Sequence, residues 1–324
     1  MVKAIRLSEF GGPEVLRLEE AALPPPARDE VRVRHRAIGL NFVDIYQRTG
    51  LYPLKLPSGL GSEAAGIVEA AGADVRDFPS GTRVAYGWGA LGAYAEAANV
   101  PARALVALPD SISDETAAAM MLKGMTAEYL LRRTYPVKRG ETIVFHAAAG
   151  GVGLIACQWA AHLGATVIGV VGSRDKEALA RAHGCAHVVV AGEEDIAARV
   201  REITDGKGVP VVYDSVGKAT FAASLDCLQR RGLLVSFGNA SGPVTGVDLG
   251  ILTAKGSLYV TRPSLRDYVA ERIELEASAK ALFDVVASGA VKIEVRQRYA
   301  LKDAAKAHTD LAARRTTGAS ILIP

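Results

Sequence analysis

The stretch "ETIVFHAAAGGVGLIACQWAAHLG", Glu141 to Gly164, decides the fold of this 324-residue chain. A β-branched run leads into a glycine cluster, and a helical pattern follows and stops at Gly164. By itself the cluster fits either a cradle for a phosphate or a plain turn between two buried elements. Its neighbours separate the two. Downstream lie "ATVIGVV", the charged helix "RDKEALARAHG", "AHVVV", the helix "EEDIAARVREITDG", "VPVVYDSVG", the helix "ATFAASLDCLQRRG", and then "LLVSFG" and "SLYVTR". Strands alternating with helices of this length predict βαβ units and a parallel sheet. The strands are apolar on both faces, as a sheet covered on both sides requires. In that setting Gly150 lets the backbone approach a pyrophosphate, Gly153 lets the helix pack on its strand, and the helix N-terminus offers free N–H groups. Ala148 stands where the usual fingerprint has its first glycine.

The residues after the second strand bear on which dinucleotide is held. An acidic residue about twenty positions on bonds the ribose 2′-OH in an NAD site. Here that place reads "VVGSRDK", with Gly172, Ser173, Arg174 and Lys176. A hydroxyl and two cations attract a 2′-phosphate, so NADP is favoured, although Asp175 could turn toward the ribose.

Upstream, "KAIRL", "EVRVRHRAIGL", "AAGIVEAAG", "TRVAYGW" and "AYAEAANV" read as short strands punctuated by Gly and Pro, a β-rich domain. A helix starts at Ser113 in "SDETAAAMMLKGMTAEYLLRRT". A long amphipathic helix is expected from Pro263 to about Ser288, then "VKIEVRQRYAL", another helix and the terminal strand "ASILIP". Composition, 49% hydrophobic and 23% charged, is that of a globular protein with a large core. The net charge of +3 is spread along the chain, which gives no case for nucleic acid. Three scattered cysteines argue against structural zinc or a disulfide frame and for a reducing cytoplasm. No apolar run is long enough for a membrane span.

The segments "FGGPEVL", "AIGLNFVDIYQRTGLYP", "LPSGLGSEAAGIVEAAG", "HAAAGGVGLIACQWA", "VVYDSVG" and "LLVSFGNASG" resemble the zinc-independent quinone oxidoreductases of the medium-chain dehydrogenase/reductase superfamily. The resemblance runs from Phe10 to the C-terminus. It implies an α/β chain in which a Rossmann doubly wound parallel sheet, residues 126–263, is inserted in a β-rich GroES-like catalytic domain, residues 1–125 plus 264–324. It also implies NADPH-dependent reduction of a small-molecule quinone in the interdomain cleft, and a homodimer paired through "GSLYVTR". An enone or 2-alkenal reductase is the nearest rival, and a non-catalytic RNA-binding or lens-type role the more distant one.

The zinc-dependent branch of that superfamily carries Cys, His and Cys where this chain has Asn41, Ser62 and Lys123, so no metal is expected. Lys123 is expected to supply part of the missing positive charge, paired with Asp44 or Glu63; its other reading is a helix lysine reaching solvent. The resemblance places Asn41, Tyr46, Tyr52, Ser62 and Lys123 at the catalytic site. It assigns the cofactor to Asn41, Thr126, Gly150, Gly151, Val152, Gly172, Ser173, Lys176, Ser215, Phe237, Gly238, Asn239, Ser241, Arg262 and Arg314, with Arg315 the neighbouring alternative to Arg314. Ala191 replaces a tyrosine that contacts the adenosine phosphate in several relatives. Cys157 and Cys227 read as inert buried thiols.

Overall fold

Runs such as Glu30–Leu40 place their apolar residues on one face, and burying that face turns them into strands. A computed structural model describes residues 1–324. They divide into one unit of Met1–Met125, Tyr268–Ala287 and Ile293–Pro324, and a second of Thr126–Asp267 and Ser288–Lys292.

The first unit begins with β1 (Val2–Leu7), β2 (Arg17–Ala21), β3 (Glu30–Leu40), α1 (Phe42–Arg48), β4 (Ser58–Gly59) and β5 (Ala64–Ala71). It continues with β6 (Arg83–Tyr86), β7 (Ala97–Pro101), β8 (Val106–Ala107) and most of α2 (Asp114–Tyr129). Ser113 caps α2, its Oγ accepting from Thr116 N at 3.1 Å. The second unit runs β9 (Thr142–His146), α3 (Gly151–His162), β10 (Thr166–Val171), α4 (Glu177–Ala182), β11 (Cys185–Val190) and α5 (Ile196–Ile203). It then adds β12 (Val209–Asp214), α6 (Phe221–Cys227), β13 (Leu228–Ser236), α7 (Gly250–Ala254), β14 (Tyr259–Thr261) and the start of α8 (Leu265–Tyr268). The remaining elements are α9 (Arg272–Ala287), β15 (Val295–Ala300), α10 (Ala304–Ala312) and β16 (Ala319–Ile323).

In the second unit every strand pair is parallel and the order is β11-β10-β9-β12-β13-β14. The order reverses between β9 and β12, so the carboxyl ends of those two strands flank the switch point at which such sheets bind ligands. Val144, Ile168, Val189, Val212 and Leu234 are wholly or almost wholly shielded, as strands covered on both faces must be. The first unit holds a sheet ordered β15-β16-β3-β5-β6-β8, with β7 also on β3, and a small sheet β2-β1-β4. Its last strand lies antiparallel to β3 with Ser320 opposite Leu40, so the C-terminus braces the segment that leads into α1.

Two elements differ from expectation. The helix at Ala219–Gly232 ends at Cys227, and Leu228 already pairs with Val209 as β13. A register shift follows, with Arg231 in the left-handed region at φ 59°, so "LQRRG" enters the sheet as a bulged strand. The helix after Pro263 is two helices, broken at Val269–Glu271. Glu271 N bonds the Glu274 carboxylate at 3.2 Å, which starts α9 afresh.

All three cysteines are free and buried. The Cys157 thiol is pushed up by its contact with Cys185 and by burial, and burial pushes Cys227 up to about 12. No helix is long and apolar enough to cross a membrane.

Candidate active site

In the first unit, the chain leaves β3 at Asn41, turns into α1, and returns at Ser62 and Glu63 into β5. Asn41 is 6% exposed and is held twice: its N–H donates to Asp44 Oδ2 at 2.8 Å and its Nδ2 to Glu63 Oε2 at 2.8 Å. Lys123 Nζ reaches the same Glu63 oxygen at 2.9 Å, and Glu63 Oε1 accepts Leu122 N at 2.8 Å. Of the two carboxylates open to Lys123 on sequence, Glu63 forms the ion pair. The solvent reading of Lys123 does not hold, since it is 5% exposed and its partner is fully shielded. Gly39 is what admits that carboxylate: a Cβ there would stand 2.0 Å from Glu63 Oε2 and 2.5 Å from Ala118 O. Ser62 is buried beside Glu63.

Tyr46 lies in α1, nearly buried, with its ring edge-on to Tyr52 at 5.2 Å between centroids. Tyr52 is 38% exposed, and its N–H bonds Tyr46 O at 3.0 Å. The five proposed catalytic residues thus fall on three neighbouring stretches of one unit: the α1 segment, the entry to β5, and α2.

In the second unit the proposed cofactor residues other than Thr126 gather after the carboxyl ends of β9, β10, β12, β13 and β14. Gly150 precedes α3 with extended backbone, and no side chain caps the helix, so the first N–H groups, from Gly151 and Val152 onward, lack an intrahelical acceptor. A Cβ on Gly153 would stand 2.2 Å from Ala147 O, so only glycine lets α3 start this close to the end of β9. The tight turn that a first glycine usually supplies is made by Ala147 at φ 53°. Gly172 opens onto empty space, with nothing within 4 Å of a built Cβ. The free N–H groups at the start of α3, the glycine-only approach and this open flank fit the pyrophosphate and ribose of a dinucleotide.

The cations after β10 are more committed than the sequence implies. Arg174 Nε bonds Glu193 at 3.0 Å, on the loop after β11. Asp175 is held below the usual carboxylate range by the Ser173 hydroxyl, and so has a local partner other than a ribose. Lys176 closes the same short turn.

At the switch point, Asp214 organises the other wall. Its Oδ1 accepts Val216 N at 2.7 Å and Gly217 N at 3.1 Å, and its Oδ2 accepts Thr220 at 2.7 Å and Ser224 at 2.8 Å. Ser224 Oγ also pairs with His146 Nε2 at 3.0 Å, which joins the ends of β9 and β12. Ser215 is thereby presented on a fixed turn. Gly238 fits against it, since a Cβ there would meet Ser215 O at 2.4 Å. Phe237 N bonds Asp214 O at 2.8 Å, and Asn239 O accepts Gly242 N at 2.9 Å. Ser241 locks the turn, its Oγ donating to Val216 O at 2.8 Å and accepting Ala219 N at 2.9 Å. Arg262 Nη1 spans Ser236 O at 3.1 Å and Gly238 O at 2.9 Å, so its guanidinium supports backbone. Thr126 is buried in α2. Arg314 belongs to the first unit, left-handed at φ 58°, and Arg315 is tied to Asp310.

Sequence reasoning left Glu63 and Asp44 as alternatives and passed over Asp214, His146 and Ser224. The signal for Glu63 was present in "GSEAAG", where a carboxylate stands beside Ser62 in an otherwise apolar strand entry.

A parallel sheet of this order, with its glycine turn at the switch point and a separate β-rich unit, defines the medium-chain dehydrogenase/reductase class. Residues 27–110 match the family described as alcohol dehydrogenase GroES-like domain, and residues 151–287 the family described as zinc-binding dehydrogenase. The quinone oxidoreductase of Pseudomonas aeruginosa is 58% identical over the full length of both chains. The crystal structure of Escherichia coli quinone oxidoreductase complexed with NADPH superposes with a TM-score of 0.98 at 54% identity, covering 99% of this chain and 100% of that one. A 2-haloacrylate reductase from Burkholderia sp is 44% identical across 100% of this chain and 99% of its own length. The chain belongs to the quinone oxidoreductase family.

The zinc in one family description does not fit this donor set. Asn41, Ser62 and Lys123 offer an amide, a hydroxyl and an ammonium, and no grouping of three or more His, Cys, Asp or Glu side chains is placed to hold a metal ion.

Proposed function

We propose that this chain reduces quinones with NADPH. The observation that carries the reading is the buried ammonium of Lys123, fixed by Glu63 in the unit that also presents Asn41, Tyr46 and Tyr52. Bound NADPH supplies the hydride. Gly150, Gly151 and Val152 hold the pyrophosphate through backbone N–H groups at the start of α3. Gly172, Ser173 and Lys176 take the adenosine ribose and its phosphate, and Thr126, Ser215, Phe237, Gly238 and Asn239 take the nicotinamide half. Ser241 and Arg262 act by stiffening the turns that carry those contacts. Arg314, on an exposed turn of the first unit, is the cation the family resemblance assigns to the nucleotide.

Lys123 and Asn41 stabilise the negative charge that the quinone oxygen acquires, and a tyrosine hydroxyl, Tyr46 or Tyr52, hands over the proton. Ser62 lines the pocket beside Glu63. The relative named 2-haloacrylate reductase favours a second reading, reduction of an activated alkene, which needs the same donor and the same ammonium.

We infer that two copies pair through β14, the open edge of the parallel sheet. Tyr259 is 60% exposed there and Val260 41%. The free buried thiols suit a reducing cytoplasm.

The test is steady-state oxidation of NADPH and NADH against an ortho-quinone, a para-quinone and an enone. Fast turnover of NADPH with a quinone is expected, and none with any acceptor would end the reading.

A further inference from the structure

The fully shielded carboxyl of Asp44 has one oxygen committed and one bare. Oδ2 accepts Asn41 N–H at 2.8 Å and Tyr94 O–H at 2.8 Å, while Oδ1 has no hydrogen-bond partner. A proton on Oδ1 leaves both bonds intact, whereas its removal strands an anionic oxygen out of water. Three charged or titratable side chains act on this carboxyl directly: Tyr94 from the segment before β7, Glu63 from the entry to β5, and Lys123 from α2. His308 from α10 and Arg48 from the end of α1 stand behind Tyr94, with Glu14 beside Arg48.

Three of their bonds run in one direction. Arg48 Nη1 donates to His308 Nδ1 at 3.2 Å, His308 Nε2–H to the Tyr94 oxygen at 3.0 Å, and Tyr94 to Asp44. Burial, with Arg48 adding, lowers His308 to about 3, and burial with Asp44 pushes the Tyr94 phenol well up, so neither changes charge near neutrality. Asp44 does. Burial lifts it to about 7, against Tyr94, the Asn41 N–H and Lys123, with Glu63 adding to the rise.

We propose that Asp44 is a positioning residue that sets the charge of this cluster during hydride transfer. In its neutral form it keeps Asn41 in place and leaves Lys123 balanced by Glu63 alone. In its ionised form it adds a second negative charge against Lys123. Hydride brings negative charge to the acceptor, so the neutral form is the faster one. The inference rests on the quinone-reductase reading.

It is tested by single-turnover oxidation of NADPH by a para-quinone, at saturating NADPH, from mildly acidic to mildly alkaline pH. The wild-type rate is expected to fall on the order of tenfold as pH rises through neutrality. Asp44→Asn is expected to keep the fast rate at all pH values. Tyr94→Phe removes a donor that favours the carboxylate, and is expected to move the fall to higher pH. A limb unchanged in both variants, or in Tyr94→Phe alone should Asp44→Asn not fold, overturns the proposal while leaving the reductase reading intact. Absence of NADPH oxidation with every acceptor overturns that reading instead.

Discussion

At the scale of single residues, Lys123 carries the sharpest consequence. Its Glu63 partner is fully shielded, so Lys123→Met leaves an uncompensated buried carboxylate. The variant should lose roughly 3–5 kcal/mol of stability in denaturant titration. At equal NADPH occupancy its hydride-transfer rate should fall by about a hundredfold, the scale of losing one charge-stabilising donor. An unchanged rate would remove Lys123 from the chemistry. Gly39→Ala offers an indirect route to the same site. Its Cβ would enter the space of Glu63 Oε2 and of a backbone carbonyl in α2, so the carboxylate must move. Much of this cluster was readable: "GSEAAG" and "LKGMT" put polar residues in apolar runs. The choice of Glu63 over Asp44 was not, because it depends on Gly39 admitting the carboxylate.

At the scale of elements, the glycine turn and its opposite wall should fail separately. Gly153→Ala drives a methyl into the carbonyls of Ala147 and Ala148 and lifts α3 from β9. Dinucleotide binding, read by fluorescence titration, should drop at least tenfold. Asp214→Ala removes the acceptor of four hydrogen bonds and frees the Ser215–Gly217 turn, so it should raise the KM for NADPH more than it lowers kcat. The alternation of strands and helices was legible because each strand is a short β-branched run closed by a turn residue. The boundary at Cys227 was not. "LDCLQRRG" keeps a helical pattern, and only the pairing of Leu228 with Val209 draws it into the sheet. Likewise the residues after β10 read as free cations, whereas the fold brings Glu193 to Arg174 from another strand end.

At the scale of the whole molecule, buried ionisable groups shape stability against pH. His35 is lowered to about 4 by burial and His308 to about 3, while an unfolded histidine binds its proton near 6.5. Their stabilisation is full above pH 6.5 and is lost as pH falls toward 4, with His35 alone worth on the order of 3 kcal/mol. Asp44, raised to about 7, works the other way, its contribution declining as pH rises from about 4 to about 7. Melting curves should therefore show stability rising from pH 4 to 6.5, more steeply in Asp44→Asn than in wild type. The proposed pairing of two copies makes a separate prediction. A charge at the sheet edge, Val260→Lys, should yield monomers in sedimentation without loss of NADPH binding.

The three buried thiols have a meaning for an enzyme of this kind. Quinones are soft electrophiles that alkylate sulfur, so a catalyst handling them is exposed to its own substrate. With every cysteine enclosed and at least two of the thiols held in the poorly nucleophilic protonated form, the native chain offers no target for that attack. Mass spectrometry after treatment with excess benzoquinone should find the folded protein free of cysteine adducts and the urea-unfolded chain carrying them at up to three sites.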